Sequence, residues 1–171
     1  MSNSTEANER PLGTLRAADG KAVVRMEDRY RTDIDDLWSA ITNPDRLARW
    51  VARVDGDLRL GGVFQASFTS GWHGPGRIDV CEPPRRLLLT MSPGQDDQTV
   101  IAVELVPDGD FTHLVVEERG LPLDEAAAYG AGWQTHIEDL AAHLAGRPSA
   151  AWRVRWTELI PVYREQQRRL G

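Results

Sequence analysis

The chain is short of cysteine, of long apolar runs and of positive charge, and each shortage removes a class of function. Its 171 residues include one cysteine, Cys81, which excludes an internal disulfide and a cysteine-based metal cluster and suggests a reducing compartment. Cys81 itself reads as a small buried or half-buried hydrophobe. No stretch approaches the roughly 20 apolar residues that a membrane-spanning helix requires. Residues 1–8 are polar and lack the basic-then-apolar order of a secretory signal, so a cytoplasmic location is the expectation. The formal net charge is −6, and a surface that tracks nucleic-acid phosphates needs clustered Lys and Arg. Basic residues cluster only at 164–169, which reads as a helix C-terminus, where cations suit the dipole. Also missing are a Ser-His-Asp arrangement, a Cys-x-x-Cys pair, a nucleotide fingerprint and a phosphate loop; the glycines read as turn formers.

What is present is the balance of a globular domain, 41% hydrophobic and 27% charged. At this length a chain can bury roughly 70% of the surface its unfolded form exposes. Residues 1–20 carry no periodic apolar pattern and read as a flexible N-terminal arm. The main domain is expected over 21–146 and a C-terminal helical extension over 147–171. Within 22–30, Val24, Met26 and Tyr30 alternate with Arg25, Glu27 and Arg29, the pattern of a half-buried strand with Asp28 on the inward parity. Thr32 or Asp33 can cap a helix with the apolar stripe Ile34, Leu37, Trp38 and Ile41. Asn43 before Pro44 ends it, and Pro44 opens a second short helix presenting Leu47 and Trp50.

Strands are then expected over 59–70, 76–82, 86–91, 99–107 and 112–118, with turn signals such as Pro83-Pro84 and Pro93-Gly94 between them. The short connections imply an antiparallel meander. By parity its inward residues are Phe64, Ala66, Phe68, Ile78, Val80, Leu87, Leu89, Met91, Ile101, Val103, Leu105, Leu114 and Val116. A long helix follows over 124–145, with Tyr129, Trp133, Ile137, Leu140 and Leu144 at spacings of three and four and Gly146 as a stop. It is roughly 33 Å long against about 26 Å for an eight-residue strand, enough to cross a whole sheet face. Residues 150–170 form a further amphipathic pattern around Trp152, Trp156, Leu159, Ile160 and Tyr163, interrupted at Pro161.

A straight helix laid on a twisted, curled sheet touches its rims before its middle. The gap is filled either by large side chains or by a guest, and six of the twelve aromatic residues are tryptophan.

The ordered set Trp38, Thr42, Pro44, Trp50, then Gly61-Gly62-Val63-Phe64, Gly76, Pro83-Pro84-Arg85-Arg86-Leu87 and Gly132-Trp133 resembles the activator-of-heat-shock-protein-90-ATPase homologue-like family of the START/Bet v-like (SRPBCC) superfamily. The resemblance covers about residues 22–145. It implies an α+β helix-grip fold: a seven-stranded curved antiparallel sheet around a long C-terminal helix, with two short helices after the first strand. The extension after residue 146 exceeds that minimal domain. Its tryptophans and Tyr163 offer enough apolar surface to cover one end of a cavity or to join two subunits as a homodimer. Relatives of this kind bind hydrophobic ligands, cyclise polyketides or assist the chaperone. The co-chaperone's separate N-terminal domain has no counterpart before residue 22, so a chaperone partner is not expected.

The preferred reading is a non-enzymatic protein whose cavity, lined by Trp38, Trp50, Phe64, Phe68, Trp72, Met91, Trp133 and Ile137, takes a small hydrophobic or amphipathic molecule. No cofactor and no metal are called for. Asp28, Arg77 and Glu118 are the polar candidates for its interior, since a buried carboxylate must pair, shift its pKa or neutralise. Two inward carboxylates would also suit a cyclase-like enzyme. A protein-interaction module, marked by an exposed apolar patch, is the other alternative. His136, Asp139 and His143 share a helical stripe at metal-ligand spacings, but it runs beside the apolar stripe and reads as a solvated flank. His73, in a Gly-rich connection, has no partner at a readable spacing.

Overall fold

The computed structural model describes residues 10–170. The described residues form eight strands, most of them on alternating apolar and polar side chains: β1 (Thr14–Ala18), β2 (Lys21–Tyr30), β3 (Ala52–Gly56), β4 (Val63–Phe68), β5 (His73–Glu82), β6 (Arg86–Met91), β7 (Thr99–Asp108) and β8 (Phe111–Leu121). Among the described residues four α-helices accompany them: α1 (Ile34–Thr42), α2 (Pro44–Trp50), α3 (Ala126–Leu144) and α4 (Trp152–Arg168). The strands form one antiparallel sheet in the order β1-β2-β8-β7-β6-β5-β4-β3. After β2 the chain crosses to the far edge through α1 and α2, then meanders back until β8 pairs with β2. This crossing places the short helices over the concave face, beside α3.

The helix pair follows from its caps. Asp33 accepts the Asp36 N–H at 2.8 Å to open α1, and Asn43 accepts the Asp45 N–H at 2.9 Å to open α2, with Pro44 as its first residue. Asn43 is extended at ψ 121°, as the residue before proline must be, and this bends the chain between the helices. Trp50 then turns back and donates its indole N–H to the Ala40 carbonyl at 2.9 Å.

The helix-grip architecture stands, with corrections to its parts. The sheet has eight strands rather than seven. The added edge strand, β1, lies within the segment expected to be a flexible arm; residues 1–9 of that arm are outside the described residues. β1 is held from both sides. It pairs with β2, and α4 clasps it: the Gly13 N–H donates to the Tyr163 hydroxyl at 2.8 Å and the Leu15 N–H to Gln166 Oε1 at 2.9 Å. The strand expected over 59–70 begins only at Val63. A β-bulge between Ile78 and Val80 also breaks the expected parity, so that Cys81 rather than Val80 follows Ile78 onto the inner face.

Helix α4 runs unbroken through Pro161, which was expected to interrupt it. A proline at 161 deprives the Thr157 carbonyl of its helical donor, but both residues are exposed, so water reaches that carbonyl. The buried side chains of α4, Leu159, Ile160 and Tyr163, pack within the same chain. Its contact with α3 is close: a Cβ on Gly130 would stand 2.6 Å from the Tyr163 ring, so the glycine is what lets the helices approach.

This docking changes the environment of α3. The sheet covers one side of α3 and α4 covers the next, so Gln134, Thr135, His136 and Asp139 are buried along with Ile137 and Leu140. The solvated flank expected at His136 and Asp139 is therefore interior.

No helix among the described residues is long and apolar enough to cross a membrane.

Candidate functional site

The concave face does not fill completely. Between the sheet, α1, α2 and α3 lies an apolar cavity of about 190 Å³, walled by Trp38, Trp50, Phe64, Leu87, Leu89, Val116 and Ile137 among others. A second cavity of about 200 Å³ adjoins it toward the start of α4, with Trp72, Thr99, Glu118, Tyr129, His136 and Trp152 in its wall. Phe68, Met91, Ile101 and Trp133 belong to both walls, so the two spaces share a partition of four side chains. The first cavity has no charged side chain in its lining. The second has two carboxylates, Asp97 and Glu118, and no Lys or Arg.

Strand parity delivers Glu118. Leu114, Val116 and Glu118 alternate inward on β8, while Glu117 points to the outer face and is gripped by Arg16, Arg25 and Arg119 at 3.0, 2.9 and 2.9 Å. Glu118 has neutral donors instead. Thr99 Oγ1 donates to Oε2 at 2.7 Å and Trp133 Nε1 to Oε1 at 2.9 Å. Burial pushes this carboxyl above its usual range, while the two hydrogen bonds pull the other way.

His136 stands beside it on the cavity wall, 5% exposed. Its ring lies 5.9 Å from that of Phe68 and 5.8 Å from those of Trp133 and Trp152. Burial pushes the imidazole down to about 4, so the ring is neutral at physiological pH. Among the described residues its Nδ1 has no hydrogen-bond partner, and neither has the indole Nε1 of Trp152. A buried polar atom without a partner costs about 1–3 kcal/mol. Both residues line the second cavity, but the two nitrogens are themselves closed off from solvent, so a guest pairs with them only if their rings turn.

The eight apolar site residues expected from the sequence all lie on these walls: Trp38, Trp50, Phe64 and Ile137 on the first cavity, Trp72 on the second, and Phe68, Met91 and Trp133 on both. The polar candidates separate. Glu118 reaches the second cavity. Asp28 is buried but engaged by Arg10 Nε at 2.7 Å and the Arg29 N–H at 2.8 Å, and it lines neither space. Arg77 also lines neither and pairs with Asp79 at 2.7 Å. His73 is exposed at the start of β5. His143 receives the Arg46 Nε–H at 3.1 Å. No group of three His, Cys, Asp or Glu among the described residues is placed to hold a metal ion.

Thr99, Asp97, Tyr129 and His136 were not anticipated as lining, and Trp152 was anticipated only as part of an extension able to cover one end of a cavity. For His136 a signal existed, because it follows Trp133 by three positions and so borders the apolar stripe. The position of Trp152 had no comparable local signal, since it depends on where α4 docks.

The family model described as "Activator of Hsp90 ATPase homolog 1-like protein" matches residues 31–145. No curated protein matches significantly. Among solved structures, CalU16 from Micromonospora echinospora is 27% identical, with 93% of this chain and 97% of that chain covered and a TM-score of 0.74. DynU16, a protein in the dynemicin biosynthetic locus, is 29% identical over 77% of this chain, with a TM-score of 0.68; the match takes in 50% of DynU16's length. A conserved protein of unknown function from Enterococcus faecalis, EF2215, is 16% identical with a TM-score of 0.76 over 93% of this chain and 92% of that one, a likeness of fold alone.

Proposed function

Since the chain belongs to the Activator of Hsp90 ATPase homolog 1-like family, of SRPBCC type, we propose that it holds a small hydrophobic or amphipathic molecule under its long helix and does not transform it. The observation that carries this reading is the pair of adjoining cavities, one wholly apolar and one ending in Glu118, His136 and Trp152. An apolar body fits the first and a polar head the second, which is the arrangement of small-molecule sites generally. The non-catalytic part of the reading is supported by the scattering of the polar candidates. Asp28 is tied to Arg10, Arg77 to Asp79, and both oxygens of Glu118 already accept hydrogen bonds.

One observation favours a second reading, the cyclase-like enzyme. Glu118 and His136 wall the same cavity with their pKa values moved in opposite directions, as an acid and base at one site would require. DynU16 comes from a biosynthetic locus, which suits either reading.

The test is a thermal-shift screen of lipids, aromatics and polyketides, followed by native mass spectrometry of the protein as purified. A bound ligand at a hundred times its Kd adds about 2.7 kcal/mol of stability. A screen without a hit, together with mass spectra showing only bare protein, would remove the binding reading. Turnover of a hit, lost in Glu118→Gln and His136→Ala, would replace it with the enzymatic one.

A further inference from the structure

The charges around the second cavity are one-sided. Asp97 and Glu118 stand in its wall with no Lys or Arg among the described residues, and the first cavity contributes no charge. Among the described residues the hydrogen-bond partners of Glu118 are Thr99 and Trp133, both neutral. A carboxylate in that position gains most from a cation that arrives with the guest, because a buried charge is tolerated only when paired.

The remaining wall suits a cation as well. Phe68, Trp72, Tyr129, Trp133 and Trp152 surround the space, and aromatic faces attract cations through their ring quadrupole. His136 does not oppose one. It is 5% exposed and its ring is neutral, so it places no competing positive charge in the wall that holds Glu118. An anionic head would meet two carboxylates and no compensating cation.

We propose that the second cavity selects an organic ammonium group, whose apolar body extends past Phe68, Met91, Ile101 and Trp133 into the first cavity. This rests on the ligand-binding reading above and names its chemical class: an amine joined to an apolar or aromatic skeleton, as opposed to a fatty acid or other anion. The ammonium lies against Glu118 and the aromatic faces.

The experiment is calorimetric titration of the full chain with three probes of one shape and different charge: 2-naphthylmethylamine, 2-naphthylmethanol and 2-naphthoate. The amine should bind about tenfold or more tightly than the alcohol, and the carboxylate weakest. In Glu118→Gln the amine should fall to the affinity of the alcohol, with the alcohol unchanged. Should Glu118→Gln fail to give a cooperative melt, the wild-type order of the three probes decides, and Asp97→Asn, at an exposed position, should weaken the amine alone. An alcohol that binds as well as the amine, a carboxylate that binds best, or an amine preference that survives in folded Glu118→Gln overturns the ammonium assignment and leaves the ligand-binding reading standing. Failure of all three probes to bind overturns the ammonium assignment, and the ligand-binding reading falls with it only when the broad screen finds no hit and the mass spectra show bare protein.

Discussion

Trp133 on the long helix donates its indole N–H to Glu118 on β8 at 2.9 Å, linking helix to sheet at the partition between the two cavities. The sheet thus holds the indole that divides the interior, and the indole in turn satisfies one oxygen of the only carboxylate on the inner face of β8. Both ends serve packing and recognition together.

Trp133→Phe keeps the apolar ring but removes the N–H. Glu118 is then left with Thr99 as its donor, and urea denaturation should show a loss of about 1–3 kcal/mol, the cost of a buried acceptor deprived of a partner. Trp133→Phe combined with Glu118→Gln should lose less than the sum of the two single changes.

If the apolar cavity is free space, filling it should cost little. Ala66, 2% exposed, lines that cavity from β4. Ala66→Phe should lower stability by less than about 1 kcal/mol, whereas overpacking a full core costs about 1–3 kcal/mol. The same variant should weaken any ligand found in the thermal-shift screen by about tenfold or more, the loss expected when its apolar contacts are displaced.

Tyr163 joins three elements, accepting from the Gly13 N–H and donating to Gln134, each at 2.8 Å. Tyr163→Phe strands both partners in a buried site and should cost about 2–4 kcal/mol. Amide hydrogen exchange should show Gly13 and Leu15 losing protection first, because β1 depends on α4.

Two carboxylates set opposite pH trends. Burial pushes Asp139 up from 3.8 to about 7, helped by Glu138. Between those values the folded state binds more protons than the unfolded chain, so this contribution to stability is complete below pH 3.8 and is lost as pH rises to about 7. Asp139→Asn should therefore gain stability at pH 8 relative to the wild type, by a few kcal/mol at most, since each tenfold change in proton affinity on folding is worth about 1.4 kcal/mol. Glu117 runs the other way. Its arginines outweigh burial and hold it at about 2, so its contribution is present above 4.5 and is lost as pH falls toward 2. Glu117→Gln should flatten the acid limb of a chemical-denaturation series, and Asp139→Asn the neutral limb.

The helix pair was legible because its causes are local. Asn43, Pro44 and the stripes around Trp38 and Trp50 act within a few residues of one another, and Asp33, one of the two caps the spacing offered, opens the first helix. The same holds for the inward residues of β4, β6, β7 and β8. Parity failed at Asp79, where the bulge moved Cys81 inward in place of Val80, because no residue there announces an extra position in the strand. β1 was illegible for a different reason. The segment Thr14–Ala18 has no apolar alternation of its own, and the partners that hold it from α4 lie about 150 residues away, with |i−j| of 150 and 151.

The site divides along the same line. Periodicity placed Trp133 and Ile137 toward the sheet and Glu118 inward, and in doing so named most of the apolar lining. It also assigned His136 and Asp139 to solvent, although each is about 5% exposed or less.

Taken alone, the order of residues determined which face each side chain takes within its own helix or strand, because that depends on a turn or a pleat and on neighbours three or four positions away. Which faces stay wet, and which polar groups come to border a cavity, was decided only when α4 docked on α3 and the sheet curled beneath both. Burial and hydrogen-bond partnership are relations between elements, set by the close approach at Gly130 and Tyr163 and by the bond from Trp133 to Glu118.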